Sequence, residues 1–163
     1  MKSDYKAPDG TTVGHIHLKV TDLDRALSFY RDLLGFELTT MYGDQAAFLS
    51  AGGYHHHIGL NTWHSKGGSP APQHAAGLYH TAFHYPTRKD LARIVQRLID
   101  SGYPITGASD HGVSEAVYLN DPDGNGVELY CDKPREEWQY RSDGSLVMLT
   151  EPLDLEELLR EVR

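Results

Sequence analysis

The sequence predicts an α+β protein built from two βαβββ units and a C-terminal helix. Two segments share one layout: a short strand led by a histidine, a Thr-x-x-Asp helix start, and a helical pattern that ends at a glycine. These segments are His15–Gly35 and His80–Gly102, and three strand-like runs follow each of them. Such repetition indicates one supersecondary unit that is used twice.

Both predicted helices carry apolar residues at helical spacing. The Thr-x-x-Asp start can cap the first turn of a helix, and a glycine suits the left-handed C-cap. One face of the first helix carries Leu23, Ala26, Leu27, Tyr30, Leu33 and Leu34, and one face of the second carries Leu91, Ile94, Val95, Leu98 and Ile99. These faces are typical of amphipathic helices that cover a core.

The strands are predicted from short apolar runs between turn residues. The first strand is His15–Val20 in the first unit and His80–Tyr85 in the second. The other runs are Phe36–Met41, Gln45–Leu49 and His55–Asn61 in the first unit, and Ile105–Ala108, Glu115–Asn120 and Gly126–Cys131 in the second. Asp121–Gly124 reads as a tight hairpin turn.

We expect a single domain over residues 1–163, with the first unit at about 11–63 and the second at about 78–132. The linker 64–77 is rich in Gly, Ser, Pro and Ala; it is either a lid over a site or a plain connector. The tail 133–163 ends in leucines at helical spacing, which predicts a docked or a dimer-forming helix.

Composition predicts a cytoplasmic protein that binds neither nucleic acid nor membrane. The net charge is −8, from 15 basic and 23 acidic residues, and it repels phosphates and anionic lipid. No apolar run is long enough to cross a bilayer, and Met1–Gly10 lacks a signal-peptide core. Cys131 is the single cysteine, so an internal disulfide cannot form.

Strand alternation places histidines opposite the apolar faces of the strands. If Ile16, Leu18 and Val20 face the core, His15 and His17 face the other way. By the same rule His80 and Glu128 lie on polar faces. These faces are either exposed to solvent or turned inward around a metal ion. Because His15 and His80 hold the same place in two repeats, we prefer the metal for that pair.

Three motifs resemble the vicinal oxygen chelate superfamily of glyoxalases, bleomycin resistance proteins and extradiol dioxygenases. They are Gly14–Leu23 (GHIHLKVTDL), Phe29–Gly35 (FYRDLLG) and Asp121–Tyr130 (DPDGNGVELY). They occur in the family's order within Thr11–Asp132, and the chain is most similar to single-domain members of the catechol-2,3-dioxygenase type. The resemblance implies that the two modules form a cupped mixed sheet around a metal cleft.

The resemblance also implies the metal ligands. By position in the motifs they are His15 rather than His17, His80 rather than His84, and Glu128. Glyoxalase-type members add a fourth ligand on the fourth strand, where this chain has Gly59. Two histidines and one carboxylate are the facial triad of non-haem iron oxygenases, so Fe(II) is expected, although Mn(II), Zn(II) and Ni(II) accept the same ligands.

Further positions resemble the extradiol dioxygenases and imply catalytic roles. His57 matches the acid–base histidine, although it could instead be a fourth ligand. Tyr118, ten positions before Glu128, matches a tyrosine that contacts the substrate oxygen, although it could simply pack at the wall. His111 is the candidate for a further histidine of the site, with a spacing two residues shorter than in the family.

The function implied is a metal-dependent, ring-cleaving extradiol dioxygenase. Its partners would be a small catechol-like aromatic diol and dioxygen, and it would act as a homodimer. A glyoxalase-like isomerase or thiol transferase is the alternative within the same superfamily. A non-catalytic small-molecule-binding member is a third interpretation.

Overall fold

The computed structural model describes residues 4–72 and 74–163, so Met1–Ser3 of the polar N-terminal stretch and Gln73 of the linker lie outside the described residues. The strands are β1 Ile16–Lys19, β2 Glu37–Tyr42, β3 Ala46–Ser50, β4 Ile58–Asn61, β5 His80–His84, β6 Gly107–Asp110, β7 Ser114–Asn120, β8 Gly126–Asp132 and β9 Glu151–Pro152. The helices are α1 Leu23–Leu27, which continues as a π-helical turn over Ser28–Leu33, α2 Arg88–Asp100 and α3 Leu155–Leu159. Short 3-10 turns cover Arg135–Glu137 and Arg160–Val162.

The strands form two mixed sheets that repeat one topology. The first sheet has the order β1-β4-β3-β2, and the second has the order β5-β8-β7-β6-β9. In each sheet the first strand of the unit lies at an edge and runs parallel to the fourth, while the other pairs are antiparallel. The predicted α+β fold with paired βαβββ units is confirmed, and β9 is an addition from the tail. The unit boundaries at 11–63 and 78–132 stay a prediction.

The helices begin and end at residues whose chemistry explains the boundaries. The carboxylate of Asp22, rather than the hydroxyl of Thr21, caps α1 by accepting from the amide of Arg25. Thr87 caps α2 as the sequence indicates. Gly35 and Gly102 follow the helices at φ of +85° and +67°, where glycine avoids the strain of a side chain. Among residues 4–72 and 74–163, no helix is long and apolar enough to cross a membrane.

Buried polar contacts join the two units behind the sheets. The hydroxyl of Tyr30, which is fully buried, donates to Asp121 over 2.9 Å. Burial and the neighbouring Asp121 carboxylate raise the pKa of Tyr30 far above its usual value. Asp123 accepts from the amide and the hydroxyl of Thr21 and from Arg25. The 121–124 turn of the second unit is thereby held against the first helix of the first unit.

The C-terminal helix is docked on α2. Leu158 and Leu159 are buried there, at 0% and 5% exposure. The guanidinium of Arg88 on α2 contacts Glu157 and Glu161 of the tail. It also forms an ion pair of 2.7 Å with Glu115 on β7. The tail also joins the second sheet, because β9 pairs with β6 at its edge.

Candidate active site

Two of the predicted metal ligands lie next to each other on neighbouring parallel strands. Nε2 of His80 on β5 is 2.9 Å from Oε2 of Glu128 on β8, and Glu128 is buried. The close approach depends on Gly126, which pairs with His80 in the register. A Cβ atom at residue 126 would collide with the carbonyl of Tyr79. Glycine at this position therefore allows the two strands to bring imidazole and carboxylate together.

The second carboxylate oxygen of Glu128 leads to two further predicted residues. Tyr118 on β7 lies opposite Glu128 in the register, and its hydroxyl donates to Oε1 over 3.1 Å. Nε2 of His111 lies 2.6 Å from the same hydroxyl. Burial, and then the charge and hydrogen bond of Glu128, raise the pKa of Tyr118 to about 12, so the phenol holds its proton at neutral pH. Four predicted site residues thus form one connected chain.

His57 belongs to the first unit and lies just before β4, not within the strand that the sequence predicts. Its Nδ1 lies 3.2 Å from the hydroxyl of Ser50 and accepts from the amide of Ala51 over 3.3 Å. An amide can only donate, so this contact favours the neutral tautomer with its proton on Nε2. Nε2 remains as the nitrogen that His57 can offer to a ligand.

His15 also belongs to the first unit and precedes β1. It is exposed, and its ring packs against His56 with 4.5 Å between the ring centroids. Among the described residues, His15 makes no hydrogen bond, ion pair or ring contact with His80 or Glu128, which come from the second unit. The fold therefore divides the three predicted ligands between two units and joins only two of them directly.

A cavity of about 920 Å³ lies between the two units, and His15, His57 and His80 all line it. Its other walls are largely apolar and aromatic, which suits a flat aromatic ligand; they include Ile16, Phe36, Leu78, Phe83, Tyr85 and Tyr130. A second cavity of about 690 Å³ is lined by His80 and Tyr118. Linker residues 71–72 and 75–77 border this second cavity, as either a lid or a connector would.

The donors fit a divalent ion in part. Two ligands at about 2.1 Å from one ion, at a right angle, are about 3.0 Å apart, and His80 Nε2 and Glu128 Oε2 are 2.9 Å apart. Within residues 4–72 and 74–163, no group of three or more His, Cys, Asp or Glu side chains is close enough to hold an ion. The 2.9 Å spacing fits two ligands of one ion and equally a direct hydrogen bond, so the ligand set His15, His80 and Glu128 stays a prediction.

Gly59, where glyoxalase-type members carry a fourth ligand, is covered by a histidine. A Cβ atom at residue 59 would lie 2.9 Å from Cγ of His17. The ring of His17 also contacts Phe48 and Trp63, each at 5.7 Å between centroids. A side chain at residue 59 would have to displace this ring.

One site contact carries no sequence signal. Nδ1 of His111 lies 2.7 Å from the carbonyl oxygen of Leu149 in the tail. Every residue type has a backbone carbonyl, so neither composition nor spacing could indicate this partner.

Comparison with known proteins places these features in a family. The sequence model of the Glyoxalase/Bleomycin resistance protein/Dioxygenase superfamily matches residues 12–129. The chain is 41% identical over 154 residues to Catechol-2,3-dioxygenase from Bacillus subtilis. The aligned segment covers 94% of this chain and 53% of that protein. It is 35% identical over 133 residues to Biphenyl-2,3-diol 1,2-dioxygenase 3 from Rhodococcus globerulus, covering 78% and 68%.

Solved structures agree on the fold. A glyoxalase/dioxygenase from Nostoc punctiforme superimposes with a TM-score of 0.64 at 22% identity, over 82% of this chain and 100% of that one. The chain spans about half the length of the Bacillus subtilis relative. The family match covers both predicted units, and the predicted resemblance is confirmed. This chain belongs to the Glyoxalase/Bleomycin resistance protein/Dioxygenase superfamily.

Proposed function

We propose that the chain is a metal-dependent extradiol dioxygenase that cleaves the ring of a catechol-like aromatic diol. The observation that carries the proposal is the connected set His80, Glu128, Tyr118 and His111, of which His80 lines the aromatic-walled cavity of about 920 Å³. Two relatives with dioxygenase names support it. Fold membership alone would not, because this superfamily hosts several chemistries.

His15, His80 and Glu128 would hold the metal, with Fe(II) as the ion we propose and Mn(II), Zn(II) or Ni(II) as ions the same donors accept. When bound, the ion would acidify the two adjacent hydroxyls of the diol and supply the electron chemistry with dioxygen. Gly59 adds no side chain to this set, which would leave positions for a bidentate diol and for dioxygen.

The chain's own residues would bind the ring and handle protons. Phe36 and Phe83 would face the aromatic ring in the 920 Å³ cavity. His57 would act as the acid–base residue, with its exchangeable proton at Nε2, because Nδ1 is engaged with Ala51. Tyr118, which lines the 690 Å³ cavity, and its partner His111 would form hydrogen bonds toward the substrate oxygens.

The first test is turnover with defined metals. Protein purified without oxygen and loaded with Fe(II) should convert catechol or 3-phenylcatechol to a yellow ring-opened product in air. Zn(II)-loaded protein is the matched control and should give no colour. Colourless Fe(II) protein with hemithioacetal turnover on Zn(II) or Ni(II) would instead identify a glyoxalase-like isomerase. Tight binding of aromatics with no metal and no turnover would identify a non-catalytic binder.

The second test separates catalysis from metal binding at His57. His57→Ala should keep its metal and lose roughly 100-fold or more in turnover, the usual contribution of an acid–base residue. His55→Ala, in the same histidine run but exposed, is the control and should keep both. Loss of metal in His57→Ala would show that His57 is a ligand. The homodimer and the cytoplasmic location stay predictions, and light scattering during size exclusion tests the first.

A further inference from the structure

We infer that the backbone carbonyl of Leu149, in the C-terminal tail, positions His111 by fixing its tautomer and its orientation. The two residues make two reciprocal contacts. The amide of Leu149 donates to the carbonyl of His111 over 2.9 Å. The carbonyl of Leu149 lies 2.7 Å from Nδ1 of the same histidine. Leu149 therefore contacts both the backbone and the ring of His111.

The chemistry of a carbonyl decides the state of the ring. A carbonyl oxygen has no proton to donate, so Nδ1 of His111 must carry the proton of this hydrogen bond. In the neutral ring, Nε2 is then the unprotonated nitrogen. It lies 2.6 Å from the hydroxyl of Tyr118. Nε2 is thus the ring nitrogen that contacts Tyr118, while Nδ1 donates to the carbonyl of Leu149.

This assignment also bears on the phenolic proton of Tyr118. The hydroxyl donates to Oε1 of Glu128 over 3.1 Å, and Nε2 of His111 lies 2.6 Å from the same oxygen. With Nε2 unprotonated, His111 offers this single proton a second acceptor beside the carboxylate. The opposite tautomer would put an N–H against the phenol and leave the carbonyl of Leu149 without this partner.

The tail is anchored at Leu149 and after it. After it, β9 pairs with β6, with Asp110 opposite Glu151, and α3 is docked through the buried Leu158. At Leu149 itself, the side chain lies against Gly112, which has a φ of +77°; a Cβ at residue 112 would be 3.4 Å from that side chain. Residue 149 lies beyond the segment 12–129 that the family model matches. The tail thus belongs to the site although the family motifs do not include it.

Nitrogen-15 NMR of histidine-labelled protein tests the tautomer directly, without metal or substrate. In its neutral form, His111 should show a protonated Nδ1 and an unprotonated Nε2. Tyr118→Phe removes the other ring partner and should leave this pattern unchanged, because the carbonyl sets it. A protonated Nε2 with a bare Nδ1 in the wild type, or a reversal in Tyr118→Phe, overturns the inference.

Variants at residue 149 test the source of the effect. Leu149→Pro removes the amide that holds the tail to His111 and should raise the population of the Nε2–H tautomer. Leu149→Ala keeps both backbone groups and should leave the tautomer populations unchanged. An unchanged tautomer in a folded Leu149→Pro overturns the inference. If Leu149→Pro does not fold, the wild-type and Tyr118→Phe spectra still decide.

The consequence for turnover rests on the proposed dioxygenase function. Leu149→Pro should lower kcat by roughly 10-fold or more with little change in KM, since it disturbs proton handling rather than ring binding. Met148→Ala, at an exposed neighbour in the tail, should stay within about 2-fold of the wild type. If the wild type cleaves no diol, the proposed function fails. The NMR spectra still decide the tautomer of His111, because they need neither metal nor substrate.

Discussion

The imidazole of His17 occupies the space that any side chain at Gly59 would need. A Cβ at residue 59 would lie 2.9 Å from Cγ of His17, an atom fixed close to the backbone of β1. The two residues are partners in the parallel register of β1 and β4. A side chain at residue 59 would therefore have to displace the His17 ring, which is exposed to solvent.

Gly59→Ala should reduce the free energy of unfolding by about 1–3 kcal/mol, the usual cost of overpacking. The penalty should largely disappear in a His17→Ala background, where the clashing ring is gone, and a double-mutant cycle by urea unfolding measures this coupling. Gly107→Ala is the control, because its added Cβ would meet Tyr118 at an ordinary 3.7 Å. Equal costs of Gly59→Ala in both backgrounds would refute the contact.

Metal affinity should depend on the predicted ligands and not on their strand neighbours. His80→Ala and Glu128→Gln should each lower metal affinity by more than about 100-fold. Loss of a residue that only hydrogen-bonds to a metal ligand already lowers affinity by about 10- to 100-fold. His84→Ala, on the same strand and exposed, should leave affinity unchanged. Titration with Fe(II) or Zn(II), followed by calorimetry, provides the measurement.

His15 is tested separately because it has no direct contact with the other two predicted ligands. His15→Ala should weaken metal binding as strongly as His80→Ala, whereas His17→Ala should spare it. A metal site that survives His15→Ala would mean that the ion is held by the second unit alone, with His80 and Glu128 as its protein donors. That result would remove His15 from the proposed site.

The buried hydrogen bond between the units should contribute measurably to stability. Tyr30→Phe leaves the buried Asp121 without one donor and should cost about 1–3 kcal/mol. Tyr103→Phe removes a hydroxyl that donates to the carbonyl of Asn120 at a more exposed position, so it should cost less. Thermal unfolding of the two variants compares them, and an equal loss would count against the role of the Tyr30–Asp121 contact.

Asp110 should make part of the stability sensitive to acid. Burial alone would raise its pKa, but hydrogen bonds from Lys133 and from the amide of Gly112 outweigh burial and lower it. A carboxyl whose pKa is lowered on folding stabilises the protein above its unfolded pKa and loses this effect as the pH falls through the folded value.

The wild type should therefore exceed Asp110→Asn in unfolding free energy at pH 7, and the difference should shrink below about pH 4. The side chains of Asp110 and Lys133 are 30% and 25% exposed, so we expect a difference below about 1 kcal/mol. Urea unfolding at several pH values measures it. A difference that grows on acidification would contradict the assignment.

The sequence by itself determined the repeat, the helix faces and the chemistry of the donors. These features are local: the apolar alternation at Ile16, Leu18 and Val20 follows from the period of a strand, and the glycines after α1 and α2 follow from backbone sterics. The same local logic failed at His55–His57, which the sequence places in a strand, because β4 begins only at Ile58.

Only the tertiary structure decided which of the predicted residues meet. His80 joins Glu128 because β5 and β8 pair in parallel, and Tyr118 joins it through the register of β7 and β8. His15 stays apart from them, and Leu149 reaches His111 through a carbonyl. Contacts between distant parts of a chain depend on strand pairing and on the docking of the tail, and neither leaves a periodic signal in the amino-acid order.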